Sequence, residues 1–161
     1  MWIEYRIIGV IHSPFKSSKG TPIQPRGARG VEGIVEVFPE YAQGLRDLEG
    51  FSHIILIYHF HQVKKYKLLV KPYMDEHEHG VFATRAPSRP NPIGLSVVRL
   101  IKVENNRLHV KDIDIVDGTP LLDIKPYVPA FDTPIGEVRI GWLEAKTHKL
   151  TTTTDDGRFT D

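Results

Sequence analysis

The sequence predicts an all-β domain: a small closed or partly closed β-barrel of about seven strands with one short helix. Three observations carry this. Thirteen glycines and twelve prolines among 161 residues give more turn punctuation than a helical bundle tolerates. Short β-branched and apolar runs recur between those turns. Nowhere do strands alternate with helices of about a dozen residues, which argues against a doubly wound sheet.

Each element follows from its own pattern. Residues 5–11 are rich in isoleucine and end at His12-Ser13-Pro14. Residues 33–38 place Ile34, Glu36 and Phe38 on one face and Val35 and Val37 on the other. Over residues 39–48, Tyr41, Leu45 and Leu48 recur at helical spacing before Gly50, which predicts the one short helix. Residues 53–60 are apolar enough for a strand covered on both faces. Residues 67–71 and 81–84 read as short strands, and residues 94–103 as a long one. In residues 107–116 the apolar face switches between Val110 and Ile113, which predicts a β-bulge at Lys111-Asp112. Residues 137–143 alternate again, with Val138, Ile140 and Trp142 in phase. The sequence therefore divides into a barrel domain over residues 1–146 and a polar, threonine-rich tail over 147–161, expected to fray.

Length fits one domain with its own core. No window approaches roughly 18 uncharged apolar residues, so no membrane span is expected. The opening Met1-Trp2-Ile3-Glu4-Tyr5-Arg6 lacks a basic flank and apolar core, and a cytoplasmic protein is the expectation. The absence of cysteine removes disulfides, thiol nucleophiles and thiolate metal sites. Net charge is +1, but its sign alternates along the chain: residues 1–30 and 61–110 are basic, residues 31–60 and 111–161 acidic. Such segregation can build a local basic face.

Neither nucleotide-binding glycine fingerprint occurs, nor does the G-x-S-x-G of hydrolases. The aspartates of residues 112–118 lack calcium-loop spacing, since Ile113, Ile115 and Val116 interrupt them. His59 and His61, two apart, would share one strand face, either as metal ligands or as an inward polar pair serving another ligand. His77 and His79 sit in a charged loop. Residues 80–94 are the most unusual segment. Pro87, Pro90 and Pro92 stiffen it and can hold Arg85 and Arg89 at little entropic cost. Arginine in a rigid loop suits carboxylate, phosphate or a base face.

This segment, Gly80-Val-Phe-Ala-Thr-Arg-x-x-x-Arg-Pro-Asn-Pro-Ile-Gly94, resembles the signature of the TsaA-like, or TrmO, family. Ile8-Gly9-Val10-Ile11-His12-Ser13-Pro14 resembles its opening strand. Phe51-Ser52-His53 and Phe60-His61-Gln62 resemble its central strand. Asp117-Gly118-Thr119-Pro120 with Asp123-Ile124-Lys125-Pro126-Tyr127 resembles its last motif. The resemblance runs from about Arg6 to Phe131.

The resemblance implies a homodimeric S-adenosylmethionine-dependent RNA methyltransferase on a β-barrel. Its substrate would be N6 of N6-threonylcarbamoyladenosine, next to the tRNA anticodon. By the same resemblance the cofactor contacts are Pro25, Arg26, Gly27, His61, Gln62, Arg85, Leu95 and Asp114. Gly27 stands where bacterial relatives often carry Gln, so it can offer only backbone. Asp117 is the expected general base, and Arg89, Asn91, Lys125 and Tyr127 the expected RNA contacts. No resident metal is implied. Bacterial relatives carry a further C-terminal domain that helps grip tRNA. Grip here is expected from the dimer, from Lys64-Lys65-Tyr66-Lys67, or from an accessory RNA-binding partner. Two other classes fit the residues: a non-catalytic S-adenosylmethionine-binding module, and a histidine metalloenzyme.

Overall fold

The computed structural model describes residues 1–160. Its centre is a closed antiparallel barrel of six strands: β1 (Gly9–His12), β2 (Glu32–Val37), β3 (His53–His59), β6 (Ile93–Glu104), β7 (Arg107–Lys111) and β8 (Thr119–Pro126). Around the barrel the order is β1-β2-β7-β6-β3-β8, and β8 closes on β1 through Gly9↔Leu121 and Ile11↔Thr119. Two further strands, β4 (Leu69–Val70) and β5 (His79–Gly80), form a separate ribbon inside the long β3–β6 connection.

Strand alternation fills the interior. Ile11, Val35, Val37, Ile54, Leu56, Val98, Leu108, Val110 and Leu121 are sealed inside, joined by Ile113 and Ile115 from the β7–β8 connection. Each fully buried aliphatic side chain contributes roughly 1.5–3 kcal/mol. On β3 the outward Ile55 and Ile57 are half-buried, so its second face is covered only in part. The β6–β7 hairpin turns through Asn105-Asn106, with Asn105 at φ 57, a conformation asparagine tolerates.

Several elements differ from expectation, each for a local reason. The first strand starts at Gly9, and residues 1–7 lie exposed ahead of it. The predicted helix is two 3₁₀ segments, Pro39–Leu45 and Leu48–Gly50, broken at Asp47 in the left-handed region (φ 68). Tyr41, Leu45 and Leu48 still pack on the barrel core. Residues 81–83 form a 3₁₀ turn whose end Thr84 ties back to the Val81 carbonyl. The switch after Val110 is real, but β7 stops at Lys111. Asp112 (φ 68) makes the switch, with its carboxylate on Gly30 N–H and Arg99. The bulge itself lies across the hairpin, in β6 between Leu100 and Lys102, where Ile101 is turned outward. Residues 137–143 form no strand. β8 pairs with β1, so the barrel offers no free edge for them to join. A single helical turn, α1 (Pro129–Asp132), follows β8 instead.

Among the described residues the tail packs back onto the domain. Phe159 is buried against Val70, Val81 and Ala86 in a second, smaller cluster. No helix among the described residues is long and apolar enough to cross a membrane.

Candidate functional site

Strand direction decides where the loops gather. β1, β3 and β7 end, and β2, β6 and β8 begin, at one end of the barrel. The three long connections, residues 13–31, 60–92 and 112–118, therefore meet there. They enclose a cavity of about 290 Å³. Its floor is Tyr58, Gly94, Leu95 and Asp114; its walls include Ser18, Gln24, Phe60, His61, Gln62, Thr84, Arg85 and Arg89.

A chain of hydrogen bonds crosses the floor. The buried Tyr58 hydroxyl lies 2.8 Å from Ser96 Oγ, and Ser96 Oγ donates to Asp114 Oδ1 at 2.7 Å. Because the carboxylate takes the serine proton, the tyrosine donates to the serine. Burial pushes the Asp114 carboxyl up to about 7, against the opposing effects of the Ser96 bond, a backbone N–H and the Arg85 charge. Burial, then the Asp114 charge, raises Tyr58 well above the usual phenol range. Gly94 makes this packing possible. A Cβ there would overlap the Tyr58 ring and come within 2.8 Å of Phe60, which meets Tyr58 edge-on.

The proline-rich loop is pinned by its own polar groups. Arg89 Nη1 donates to the carbonyls of Thr84 (3.0 Å) and Ala86 (2.9 Å). Ser88 Oγ donates to the Lys65 carbonyl at 2.8 Å. Arg89 thus faces the cavity as a staple of its own loop. Arg85 has one long bond, to Gln24 Oε1 at 3.3 Å, and leaves an exposed guanidinium over the cavity. Gln62 Oε1 accepts the Ser18 N–H, tying two loops together. His61 stands at the rim. Its protein surroundings, then the His59 charge, hold it below the ordinary imidazole value.

His61, Gln62, Arg85, Leu95 and Asp114 all line this cavity. Pro25, Arg26 and Gly27 form a 3₁₀ turn just behind the wall, and Gln24 faces the cavity in their place. Asp117 does not reach the cavity. Its carboxylate accepts Ser13 N–H at 2.9 Å and pairs with Lys16 at 2.9 Å, and the Lys16 bond holds it below the usual carboxylate range. A carboxylate committed in this way makes a poor general base. Asn91 lies outside the lining. Lys125 and Tyr127 are at the far end of β8, roughly 20 Å along the strand from Thr119. There Lys125 pairs with Asp123, and Tyr127 meets His53 edge-on. Among the described residues no group of three or more His, Asp or Glu side chains converges to hold a metal ion.

Sequence reasoning missed Tyr58 and Ser96. A usable signal was present: Ser96 is a polar residue at an inward position between Gly94 and Val98. A second cavity of about 470 Å³ adjoins the first across Gln24, Thr84 and Arg85. It is walled by Phe82, Met74 and Leu143 and by Trp142, which stacks on His79 and donates to the Ala83 carbonyl.

The sequence is similar to a probable S-adenosyl-L-methionine-binding protein of Pyrococcus abyssi, 64% identical over 99% of this chain and 86% of that protein. An S-adenosyl-L-methionine-binding protein of Archaeoglobus fulgidus is 48% identical over 78% of this chain and 89% of its own length. The mouse tRNA (adenine(37)-N6)-methyltransferase is 38% identical over 79% of this chain, but over only 31% of its own length. The crystal structure of TrmO from Pseudomonas aeruginosa superimposes with a TM-score of 0.73 at 41% identity, covering 88% of this chain and 63% of that one. This chain thus spans less than two thirds of that solved chain. The sequence profile of the tRNA-methyltransferase O N-terminal domain matches residues 10–133, and the chain belongs to that family.

Proposed function

We propose that this chain binds S-adenosyl-L-methionine in the cavity at the barrel mouth and methylates adenosine N6 in tRNA. The specific acceptor proposed is N6-threonylcarbamoyladenosine beside the anticodon. The observation that carries the reading is the pairing, within one cavity, of an arginine held only by one long bond, Arg85, with a half-buried carboxylate, Asp114. The names of the Pyrococcus, Archaeoglobus and mouse relatives support the cofactor and the reaction class.

The residues present fit the methyl donor. Arg85 suits its carboxylate. Leu95, 48% exposed, offers an apolar face for the adenine ring. His61 and Gln62 can hydrogen-bond the ribose. When bound, the donor supplies a methyl carbon already activated by its sulfonium. The protein's task is then alignment and proton removal. N6 of the proposed acceptor carries a carbamoyl group that delocalises its lone pair, so a base at that atom helps. Asp114 takes this role in place of Asp117: it lines the cavity, and Ser96, itself bonded to Tyr58, fixes its orientation through Oδ1. Homodimer formation, tRNA grip by exposed Lys64, Lys65 and Lys67, and an accessory RNA-binding partner complete the proposal.

The test is transfer of labelled methyl from S-adenosyl-L-methionine to tRNA taken from cells lacking this protein, followed by nucleoside mass spectrometry. Wild type is expected to label N6-threonylcarbamoyladenosine, and Arg85→Ala to lose the label. Donor binding without transfer to any RNA would replace this reading with that of a binding module.

A further inference from the structure

Residues 152–160 run as a strap between two walls of the cavity. Thr154 bridges to Pro22. Gly20 N–H donates to the Asp155 carbonyl at 2.6 Å, and Asp155 N–H donates to the Thr21 carbonyl at 2.8 Å. These bonds fasten the strap to the β1–β2 loop. At its other end Phe159, 7% exposed, inserts among Val70, Val81 and Ala86 and meets Tyr73 edge-on at 5.1 Å. Arg158 donates to the Lys71 and Pro72 carbonyls. These contacts fasten it to the β3–β6 loop. The strap lies wholly outside residues 10–133, the stretch matched to the family domain.

Two strap side chains, Asp155 and Thr160, line the cavity. Asp155 is half-buried, and its Oδ1 accepts the Gly157 N–H at 2.7 Å. Among the described residues no Lys, Arg or His forms an ion pair with it; Arg158 is paired with Asp156 instead. Burial raises its carboxyl above the usual range. The Tyr73 hydroxyl and the nearby Arg158 charge offset this only in part, so the cavity holds a partly desolvated carboxylate with no direct ion-pair partner among the described residues. The methyl donor proposed above is cationic at its ammonium and at its sulfonium.

We infer that the strap is part of the ligand site, and that Asp155 is a binding residue for the cationic end of the methyl donor. The inference rests on the reading of the cavity as the donor site. The strap joins the two loop walls beside the ligand, and Asp155 balances positive charge as Arg85 balances the carboxylate.

The test is calorimetric titration of the full chain, wild type and Asp155→Asn, with three ligands. S-adenosylmethionine carries both cations, S-adenosylhomocysteine only the ammonium, and 5′-methylthioadenosine neither. Asp155→Asn is expected to weaken S-adenosylmethionine about tenfold, as loss of one charge-assisted hydrogen bond does. Binding of 5′-methylthioadenosine is expected to stay within about twofold of wild type, since it lacks the partner charge. S-adenosylhomocysteine following S-adenosylmethionine assigns the contact to the ammonium; following 5′-methylthioadenosine, it assigns the contact to the sulfonium. Equal S-adenosylmethionine affinity in both proteins overturns the role of Asp155 and leaves the donor site standing. Failure of wild type to bind the donor withdraws both readings. Should the variant not fold, amide hydrogen exchange on wild type decides. Amides of residues 153–160 are expected to slow at least about tenfold with saturating S-adenosylmethionine, and unchanged exchange overturns the inference.

Discussion

Inside the barrel, Ile11, Ile54, Leu56, Leu108, Ile113 and Leu121, from four strands and the β7–β8 connection, are sealed from solvent in one cluster. At its mouth the second buried apolar cluster is small: Val70, Val81, Ala86 and Phe159. There the loops are tied largely by polar bonds, among them Gln62 to Ser18, Ser88 to Lys65, and Arg89 to Thr84 and Ala86. The first region is apolar, sealed and offers a ligand no polar group. The second is polar, charged and shaped by few contacts, and it carries the candidate chemistry. Loss of a barrel side chain should therefore cost stability, and loss of a mouth side chain should cost function.

Asp114→Asn gives the largest effect expected at the mouth. Methyl transfer should fall by ~10²–10⁴-fold, the range for a lost general base. The fold should survive. The wild-type carboxyl titrates near 7, far above its value in an unfolded chain, so it is protonated in the fold and ionised outside it between those values. Its contribution to stability therefore declines as pH rises from about 4 through about 7. Melting curves at pH 8 should show the variant at least as stable as wild type; a markedly lower Tm would make Asp114 a structural group. The same titration fixes the pH dependence of the reaction. A proton acceptor must be ionised, so kcat/KM should climb through a pH of about 7 in wild type and lose that limb in the variant.

Leu56→Ala is the converse. Urea unfolding should show a loss of about 2–5 kcal/mol, because a cavity opens where the barrel cannot collapse. Donor affinity of the folded fraction should change little. Gly94→Ala lies on the border between the regions. The added methyl meets the Tyr58 ring, and overpacking of this kind costs about 1–3 kcal/mol. It should also displace Asp114 through Ser96, so both Tm and transfer rate should drop. Phe159→Ala should have the smallest global effect. Amides of the strap should exchange faster while those of β3 and β6 keep their protection; equal loss in both would make mouth and barrel one cooperative unit.

The same division explains what could be read before the structure. Alternation identifies Val35 and Val37 or Leu108 and Val110 as inward, because a strand's period is a local property. It misidentifies residues 137–143, since pairing needs a free edge and the closure of β8 on β1 removes one. The site followed the same rule. Arg85, His61, Gln62, Leu95 and Asp114 converge at one end of the barrel. Asp117 and Tyr127, close together in sequence motifs, are separated by the length of β8, so one flanks the mouth and the other lies at the opposite end. Choosing Asp114 over Asp117 required knowing which carboxylate Lys16 and Ser13 had already occupied. The Tyr58–Ser96 chain joins β3 and β6, paired strands separated in sequence by the long 60–92 connection, and an apolar stretch of sequence hides it.

The most direct test of the central claim is a crystal structure of the protein grown with S-adenosyl-L-methionine. The account predicts density for the ligand at the barrel mouth, its carboxylate on Arg85, its adenine against Leu95, and Asp114 facing the methyl group. Ligand density elsewhere on the barrel, with the mouth filled only by solvent, would contradict it.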